Sequence, residues 1–414
     1  MSSANGGRRR VAVTGMGVKT PAGNDLSTFW ASLLAAKSTA APITAYPSDQ
    51  LAVGFACEVR DFDPAEYLGH KEARRADRVS QLGVGAAADA LADAGDVGAD
   101  PSRCGVVVGT GIGGLRTQEA EEHVLFEKGY SRVTPMLVPM MMPNATAALV
   151  AMRTGWTGPS LCIATACAAG SHALGEAARM VRDGSADVVL AGGAESVISP
   201  IAIAAFARMG ALSTRSDAPE LASRPFDLGR DGFVMGEGAA FVVLEDWDRA
   251  QARGARIWGE VLGYGRTSDA YHITAPAPGG GGAMACMELA IEDAGLAPAD
   301  IGHINAHGTS TPLNDAAEGE AINKVFAGAA PPVTATKGVT GHLIGAAGAA
   351  EAVASLLALT EGLVPPVANY ETADPDIPIE VVSGAPHTIE PKPVLSNSFG
   401  FGGHNATLVL GAGR

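Results

Sequence analysis

The chain has 414 residues, a formal charge of −15 at pH 7, 47% hydrophobic residues and 18% charged residues. This length exceeds the usual size of one core, so it predicts two domains or one architecture of two similar halves. The hydrophobic content excludes extended disorder, and the acidic balance argues against nucleic-acid binding, which depends on clustered Lys and Arg.

The N-terminal residues 1–10 carry three arginines but lack the apolar segment that a signal peptide needs, so they are predicted to form a flexible tail. No uninterrupted apolar stretch reaches the ~18–20 residues of a membrane span, so no membrane contact is expected. The cysteines are odd in number and widely spaced, which indicates neither a disulfide framework nor a zinc site and fits a reducing cytoplasm. They are Cys57, Cys104, Cys162, Cys167 and Cys286.

Short β-branched runs alternate with Ala-rich helical segments along the chain. The runs lie at 11–14, 104–109, 186–191 and 241–244. This alternation predicts helices that cover sheets, an α/β class.

An internal repeat indicates a duplicated architecture. The run Ala-Leu-Ala-Asp-Ala-Gly at 90–95 recurs as Ala-Ile-Glu-Asp-Ala-Gly at 290–295, and each copy precedes a predicted strand closing on Gly-Thr. Such a run is also a common helix terminus, but the matched order of helix, turn and strand favours a repeat. We predict an N-terminal half at 11–257 and a C-terminal half at 258–414.

Cys167 lies where an apolar strand gives way to a helix of small residues. The unpaired N–H groups of a helix N-terminus favour the thiolate and lower a cysteine pKa from its usual ~8.5. Cys167 is therefore a candidate nucleophile, and its own N–H is available to an oxyanion. A buried core cysteine is the alternative for any single Cys, and Cys162, inside the apolar run, fits that alternative.

Two histidines follow, His307 and His342, each where a predicted strand gives way to a Gly-rich loop. Active sites of α/β folds assemble at such strand ends. One histidine there is more often structural, but a Cys and two His in matching contexts indicate a shared site. A Gly-rich loop at 396–405 permits close backbone approach, so it either completes an oxyanion hole or forms a plain hairpin.

Four segments in this order resemble the type II β-ketoacyl-[acyl carrier protein] synthases, over nearly the whole chain. They are Thr-Ala-Cys-Ala-Ala-Gly at 165–170, Asn-Ala-His-Gly-Thr-Ser-Thr at 305–311, Thr-Lys at 336–337 with Thr-Gly-His at 340–342, and Asn-Ser-Phe-Gly-Phe-Gly-Gly at 397–403. The resemblance implies a thiolase-like α/β fold, in which two similar halves form a layered α-β-α-β-α core. It also implies a homodimer.

The resemblance implies a decarboxylative Claisen condensation in fatty-acid elongation. The acyl and malonyl thioesters would be carried on the phosphopantetheine of acyl carrier protein, and no other cofactor is implied. Cys167 would take the acyl chain, while neutral His307 and His342 would promote malonyl decarboxylation and hold the enolate oxygen. Lys337, with Glu351 as its counter-ion, would support this charge arrangement.

Further family positions map around the substrate. Phe401 matches the gate of the acyl pocket and offers a second oxyanion N–H. Ile112 matches a position that limits acyl-chain length, and Thr274, Thr309 and Thr311 match contacts to the pantetheine arm.

Two groups of residues match known ligand-site patterns. The segment 109–114 reads G-x-G-x-x-G after a strand, but no βαβ unit with an acidic strand end follows, so a dinucleotide site is rejected. In some family members, residues that match four positions of this chain surround a structural cation. The sequence leaves open whether this chain binds one. The four positions are Asn305, Glu351, Ser396 and Asn397.

A basic stripe is the candidate docking site for the acidic carrier protein. Lys71, Arg74, Arg75 and Arg78 have i, i+3, i+4 and i+7 spacing, which places them on one face if the segment is a helix. A local basic stripe on an acidic protein suits an acidic partner. A solvated helix face is the alternative.

Three positions depart from the family pattern. Asn314 stands where the family often has Gly, and His404 where it often has Thr. Gly210 stands where an Arg often contacts the carrier protein, and Arg208 is the nearby replacement. These departures leave open whether the pathway is fatty-acid or specialised polyketide synthesis.

Three other functions are alternatives. A polyketide ketosynthase would use the same residues. A thiolase normally needs a second catalytic cysteine, which neither Cys162 nor Cys286 is placed to supply. A non-catalytic chain-length subunit typically lacks the nucleophile that Cys167 provides, although a paralogous subunit remains an alternative dimer partner to a second copy of this chain.

Overall fold

A computed structural model describes residues 8–413. The predicted tail therefore lies mainly outside the described residues. Its last residues are held by the C-terminal half, because Arg8 pairs with Asp293 at 2.7 Å and Arg10 with Glu260 at 2.5 Å. Arg10 also stacks on the ring of Trp247.

The strands and helices follow the predicted alternation. The strands are β1 (Val11–Lys19), β2 (Ala41–Pro42), β3 (Phe55–Ala56), β4 (Cys104–Gly109), β5 (Ser160–Ile163), β6 (Val188–Glu195), β7 (Gly238–Asp246), β8 (Gly259–Ser268), β9 (His303–Asn305), β10 (Val333–Thr334), β11 (Leu363–Val364), β12 (His387–Thr388), β13 (Val394–Gly400) and β14 (His404–Ala412). The helices are α1 (Leu26–Leu34), α2 (Pro64–Ala73), α3 (Arg78–Ala94), α4 (Leu115–Lys128), α5 (Leu137–Met141), α6 (Ala145–Thr154), α7 (Ala169–Asp183), α8 (Pro200–Arg208), α9 (Trp247–Ala252), α10 (Gly281–Asp293), α11 (Pro312–Val325), α12 (Lys337–Thr340) and α13 (Ala347–Glu361).

The main sheet is internally duplicated. Its order is β10-β9-β13-β14-β8-β1-β7-β6-β4-β5. Outward from the central β1–β8 pair, each half has two antiparallel pairings followed by two parallel pairings. The two halves therefore share one topology, as the internal repeat predicts.

The helices form three layers around the two halves of the sheet. Helices α7 and α13 pack on each other between the halves, where α7 contacts β4 and β6 and α13 contacts β7, β13 and β14. Helices α3 and α6 cover the first half, and α10 with α11 covers the second. This is the predicted α-β-α-β-α arrangement. Strands β6 and β7 are buried almost throughout, which explains their unbroken apolar runs.

Apart from Glu351, the central helix α13 is apolar over most of its surface because it lies inside the protein. The stretch Ile344–Glu361 is long and apolar enough to cross a membrane, but 89% of it is buried. A helix that is hydrophobic all round is expected in the core of a large protein. Its composition is thus accounted for by packing against α7 and both halves of the sheet.

The predicted docking helix at 71–78 is wrong, because two helices meet there. Helix α2 ends at Ala73, and α3 begins at Arg78 after its N-cap Asp77, whose side chain accepts the N–H of Val79. In one continuous helix, the N–H of Val79 would donate to a backbone carbonyl one turn earlier instead of to a capping side chain. The basic residues therefore do not share one helical face.

Candidate active site

The candidate nucleophile lies at the start of the central helix layer. Cys167 is in a short 3-10 turn, Ala166–Ala168, that leads directly into α7. Ala166 has a φ of +49°, a strained conformation of the kind that clusters at active sites. The thiol is 5% exposed, so it is reached only through the cavity described below.

The Gly-rich loop after β13 packs against this turn. A Cβ added to Gly400 would lie 3.1 Å from the backbone nitrogen of Cys167 and 2.9 Å from the carbonyl oxygen of Thr165, closer than side chains normally approach. Glycine is therefore required for the loop to reach the nucleophile. This approach brings the N–H of Phe401 to the sulfur.

Burial changes the expected ionisation of the nucleophile. It raises the pKa of the Cys167 thiol to about 11, while Lys337 and the N–H groups of Phe401 and Cys167 itself favour the thiolate. The helix terminus supplies donors as the sequence predicts, but desolvation outweighs them in the resting chain. The N–H groups are thus aimed at negative charge that would appear during reaction.

His342 contacts the nucleophile directly. Its Nε2 lies 3.0 Å from the sulfur of Cys167, and its Nδ1 accepts the N–H of Ile344 at 3.3 Å. The backbone of His342 is fixed by its bridge to Met235. Because Nδ1 is an acceptor, the proton of a neutral ring must lie on Nε2, facing the sulfur.

His307 has the same protonation for a different reason. The ammonium of Lys337 donates to its Nδ1 at 3.2 Å and to its carbonyl oxygen at 2.6 Å, and it also pairs with Glu351. Lys337 and Glu351 are both buried. The Nε2–H of His307 is therefore free to point into the site, where its ring centroid is 5.4 Å from that of His342.

Both histidines are neutral at physiological pH. Burial lowers the pKa of His307 well below its usual value, and the charge of Lys337 and the ring of His342 lower it further. Burial and Lys337 have the same effect on the pKa of His342. A neutral ring with a fixed Nε2–H is a hydrogen-bond donor for a developing anion.

The same tautomers argue against a metal at this cluster. One ligand atom each from Cys167, His307 and His342 lies within 4.8 Å of the others, a spacing that a metal could bridge. Metal binding at Nε2 requires the proton on Nδ1, usually donated to an acceptor. Here both Nδ1 atoms face donors, Lys337 and the N–H of Ile344, so the donor set suits an anion better than a cation.

Two buried acids that the sequence analysis missed hold the His307 loop. Glu318 accepts the N–H groups of His307 and Gly308, both at 2.8 Å. Asp315, one turn earlier on α11, accepts the N–H of Thr309 at 3.0 Å. The sequence predicted a strand that continues to Gly-Thr at 308–309, but strand β9 ends at Asn305. Beyond it, the loop N–H groups donate to these two carboxylates and not to a neighbouring strand. The available sequence signal was weak, because α11 is of mixed polarity and also carries the exposed acid Glu320.

A cavity of about 520 Å³ connects the cluster to the surface. Cys167, His307 and His342 line it together with Phe401 and Ile112. Ile112 is 39% exposed, so it is available to a ligand rather than sealed in the core. The predicted nucleophile, the two histidines, the gate and the acyl-pocket residue thus share one space, while Lys337 contacts His307 from outside the lining.

The predicted pantetheine residues line the same cavity. Thr274, Thr309 and Thr311 all border it, and the hydroxyls of Thr309 and Thr311 lie 2.9 Å apart. Asn314, one of the departures from the family pattern, is also a lining residue. Its amide donates to Asp315 at 3.1 Å.

Three of the four predicted cation-site residues have an unpaired buried side-chain atom. These atoms are Oε2 of Glu351, Oγ of Ser396 and Nδ2 of Asn305. The paired strands place Asn305 beside Ser396. Asn397 differs, because its amide donates to Glu318 at 3.2 Å and accepts from Thr407 at 3.0 Å. The open carboxylate and hydroxyl oxygens suit a hard cation, whereas Nδ2 of Asn305 is a hydrogen-bond donor and cannot be a ligand.

The predicted docking residues are on the surface. Lys71, Arg74 and Arg75 are exposed. Arg78 is not available in the same way, because its guanidinium bonds Glu237 at 3.1 Å. Arg208 is exposed and immediately precedes Met209, which lines the cavity.

Both halves of the chain match known sequence families. Residues 8–250 match the beta-ketoacyl synthase N-terminal domain, and residues 258–371 match the beta-ketoacyl synthase C-terminal domain. The 3-oxoacyl-[acyl-carrier-protein] synthase 2 of Synechocystis sp. is 46% identical over 413 residues, which cover 98% of this chain and 99% of the relative.

Solved structures give the same result. The ishigamide ketosynthase/chain length factor superposes with a TM-score of 0.92 at 36% identity, covering 99% of this chain and 100% of its own. A type II polyketide synthase ketosynthase, solved with its acyl-carrier protein and bound to a hexaketide, has a TM-score of 0.88 at 31% identity and covers 98% of this chain and 100% of its own.

Proposed function

The chain belongs to the β-ketoacyl synthase family, and on that premise we propose that it condenses an acyl thioester with malonyl-acyl carrier protein to give 3-oxoacyl-acyl carrier protein in fatty-acid elongation. The observation that carries the proposal is the pair of neutral histidines whose Nε2–H groups converge beside Cys167. Decarboxylation of a malonyl thioester develops an enolate, and this arrangement fits its oxygen.

In the first step Cys167 takes the acyl group. The sulfur attacks the thioester carbonyl, the N–H groups of Cys167 and Phe401 stabilise the tetrahedral oxyanion, and the carrier leaves as a thiol with the proton that Cys167 loses. Donors that already face the sulfur offset part of the desolvation that raises its pKa. The product is an acyl-enzyme and a free carrier protein.

In the second step the malonyl carboxylate leaves as CO₂, and its electron pair forms the enolate. His307 and His342 donate to the enolate oxygen. The α-carbon then attacks the acyl carbonyl, and Cys167 leaves as a thiolate that takes a proton from solvent. Lys337 keeps His307 in the required tautomer through its bond to Nδ1, and Glu351 balances its charge.

Substrates would enter on the phosphopantetheine of acyl carrier protein, without another cofactor. Thr274, Thr309 and Thr311 supply hydroxyl groups along the cavity for the amides of this arm. Ile112 would form the end of the acyl pocket and Phe401 its gate. Oε2 of Glu351 and Oγ of Ser396 would be side-chain ligands of a structural cation beside Asn305 and Asn397.

Acyl carrier protein is the proposed partner. The related polyketide ketosynthase was solved with its acyl-carrier protein. On this chain the exposed Lys71, Arg74 and Arg75 form a basic site within an acidic protein, and Arg208 lies next to the cavity.

A homodimer is proposed from the open end of the sheet. Strand β5 is the last strand of the sheet among residues 8–413, and its Leu161 is 46% exposed. Met152, on the adjoining helix α6, is 78% exposed. An unpaired edge beside exposed apolar side chains indicates a partner face. Pairing with a paralogous subunit is the alternative, and a cytoplasmic location stays a prediction.

The specialised polyketide pathway is the second candidate. The ishigamide ketosynthase/chain length factor and the type II polyketide ketosynthase are 36% and 31% identical to this chain, whereas the Synechocystis synthase is 46% identical, which favours fatty-acid elongation. A chain-length subunit is disfavoured by the complete Cys-His-His cluster.

The test is a reconstituted condensation. The purified chain is incubated with malonyl-acyl carrier protein and a series of acyl carriers, and the carrier-bound products are identified by intact mass. We expect 3-oxoacyl products two carbons longer than each accepted primer. Absence of any elongated product from saturated primers of all lengths would contradict the proposal.

A further inference from the structure

We propose that Glu195 is a positioning residue that holds His342 for condensation and Ile112 for chain-length selection; the inference rests on the condensation proposed above. Glu195 is the last residue of β6 and is fully buried. It pairs with no Lys or Arg among the described ion pairs.

The carboxylate joins two loops. Its Oε2 accepts the N–H of Gly111 at 2.5 Å and that of Gly345 at 3.1 Å, and its Oε1 accepts the hydroxyl of Thr110 at 3.1 Å. The loops touch, since a Cβ added to Gly345 would lie 2.3 Å from the nitrogen of Gly111. One acceptor therefore fixes the contact between the loop after β4 and the loop after His342.

On one side this contact reaches His342. Ile344 has a φ of +46°, a conformation that is unfavourable for a β-branched residue and persists only when its surroundings enforce it. The bond from Gly345 to Glu195 lies immediately after it. In this conformation the N–H of Ile344 reaches Nδ1 of His342, which keeps the His342 proton on Nε2 facing Cys167.

On the other side the contact reaches the acyl pocket. Ile112 follows Gly111, and its backbone also interacts with Glu195. Ile112 and Ile344 both line the cavity. The position of the residue that would limit chain length and the orientation of a catalytic histidine thus depend on the same carboxylate.

The experiment uses Glu195→Ala with Glu245→Ala as the matched control. Glu245 is a fully buried carboxylate near the end of β7, where it bonds Thr14 and Arg253. The strand register places it opposite Val188, at the other end of β6 from Glu195. Both substitutions remove a buried carboxylate, but only Glu195 contacts the loops at Gly111 and Gly345.

For Glu195→Ala we expect condensation to fall about 10- to 100-fold while acylation of Cys167 stays within about threefold, because a misplaced group mainly affects the step that uses it. The profile of accepted primer lengths should also shift. Glu195→Gln should recover condensation, because its carbonyl oxygen can replace Oε2 and the Thr110 hydroxyl can accept instead. Burial raises the pKa of Glu195 to about 7, so a neutral side chain is a close mimic.

A double variant tests the route through His342. In a His342→Ala background, Glu195→Ala should lower condensation by no more than about twofold, since two changes on one pathway are not additive. Three results would overturn the inference. The first is an equal loss of acylation and condensation in Glu195→Ala, and the second is a selective loss of condensation in Glu245→Ala. The third is a double variant in which the effects of Glu195→Ala and His342→Ala on condensation are additive. If the Ala variants do not fold, the Asp variants of both residues give the same comparison. A wild-type chain without any condensation product would overturn the proposed function itself.

Discussion

The protonation of His307 and His342 is set by what their Nδ1 atoms face. Lys337 donates to one ring and the N–H of Ile344 to the other, so both neutral rings carry their proton on Nε2. The pKa of each ring is held well below its usual value, first by burial. Two hydrogen-bond donors therefore lie beside Cys167, and neither ring carries a positive charge that would attract a free anion.

Replacing either histidine should separate the two half-reactions. In His307→Ala and His342→Ala we expect condensation to fall roughly 10²–10³-fold, the usual loss of one oxyanion donor. Cys167 should still be acylated, because the groups that favour its thiolate, Lys337 and the N–H groups of Phe401 and Cys167, are retained in both variants. Acylation is measured by intact mass and condensation by product formation. Loss of both steps in equal proportion would instead indicate that the histidine acts as a base for the thiol.

Ile112→Phe tests the acyl pocket. Overpacking an apolar pocket costs roughly 1–3 kcal/mol, which corresponds to a selectivity change of about 5- to 150-fold. The variant should accept only shorter primers and turn over the shortest one almost normally, because the reacting carbonyl is bound at Cys167. Rates measured across a primer series provide the check. A uniform loss at every length would mean that Ile112 only supports packing.

At the scale of elements, the region between α2 and α3 shows what the sequence could and could not predict. Basic residues at helical spacing predicted one helix, but Asp77 caps α3 and also accepts the N–H of Thr117 at 2.8 Å. That second bond comes from a segment 40 residues away, which no local pattern reveals. By contrast, the turn at Cys167 that leads into α7 was predictable, because its signal is the local change from an apolar run to small residues.

The basic site between these helices should affect carrier recognition alone. Lys71→Glu with Arg74→Glu should raise KM for acyl carrier protein about tenfold, because exposed ion pairs contribute roughly 0.2–1 kcal/mol each and reversal adds repulsion. Turnover of a small acyl thioester without carrier should not change. Lys392→Glu is the control, as an exposed lysine just before β13 at the end away from the site. An equal effect of the control would show that net charge, not this site, is responsible.

At the scale of the molecule, duplication explains where the chemistry lies. The loops before α7 and α13 carry Cys167 and His342, and the two helices pack together at the centre. The internal repeat at 90–95 and 290–295 predicted this symmetry. It could not predict the Glu195 contact, because Gly111 and Gly345 lie in different halves and meet only in the folded chain.

The open edge of the sheet predicts self-association. We expect the wild-type chain to sediment at twice its monomer mass, and Leu161→Glu to weaken the dimer more than 100-fold, since an unpaired buried charge costs about 3–5 kcal/mol. Leu289→Glu, on the outer helix α10, is the matched control with a similarly exposed leucine. Analytical ultracentrifugation over a concentration series measures both. A monomeric wild-type chain, or equal effects of the two variants, would contradict the proposed interface.

The most direct test of the whole account is the mass of the enzyme after incubation with acyl carrier protein that bears an acyl chain. The account predicts one acyl adduct on Cys167 in the wild-type chain, discharged into a 3-oxoacyl product when malonyl-acyl carrier protein is added. Cys167→Ala should fold normally and show no adduct, because the change removes one small side chain at a helix start. A stable acyl adduct on Cys167→Ala would contradict the central claim that Cys167 is the nucleophile.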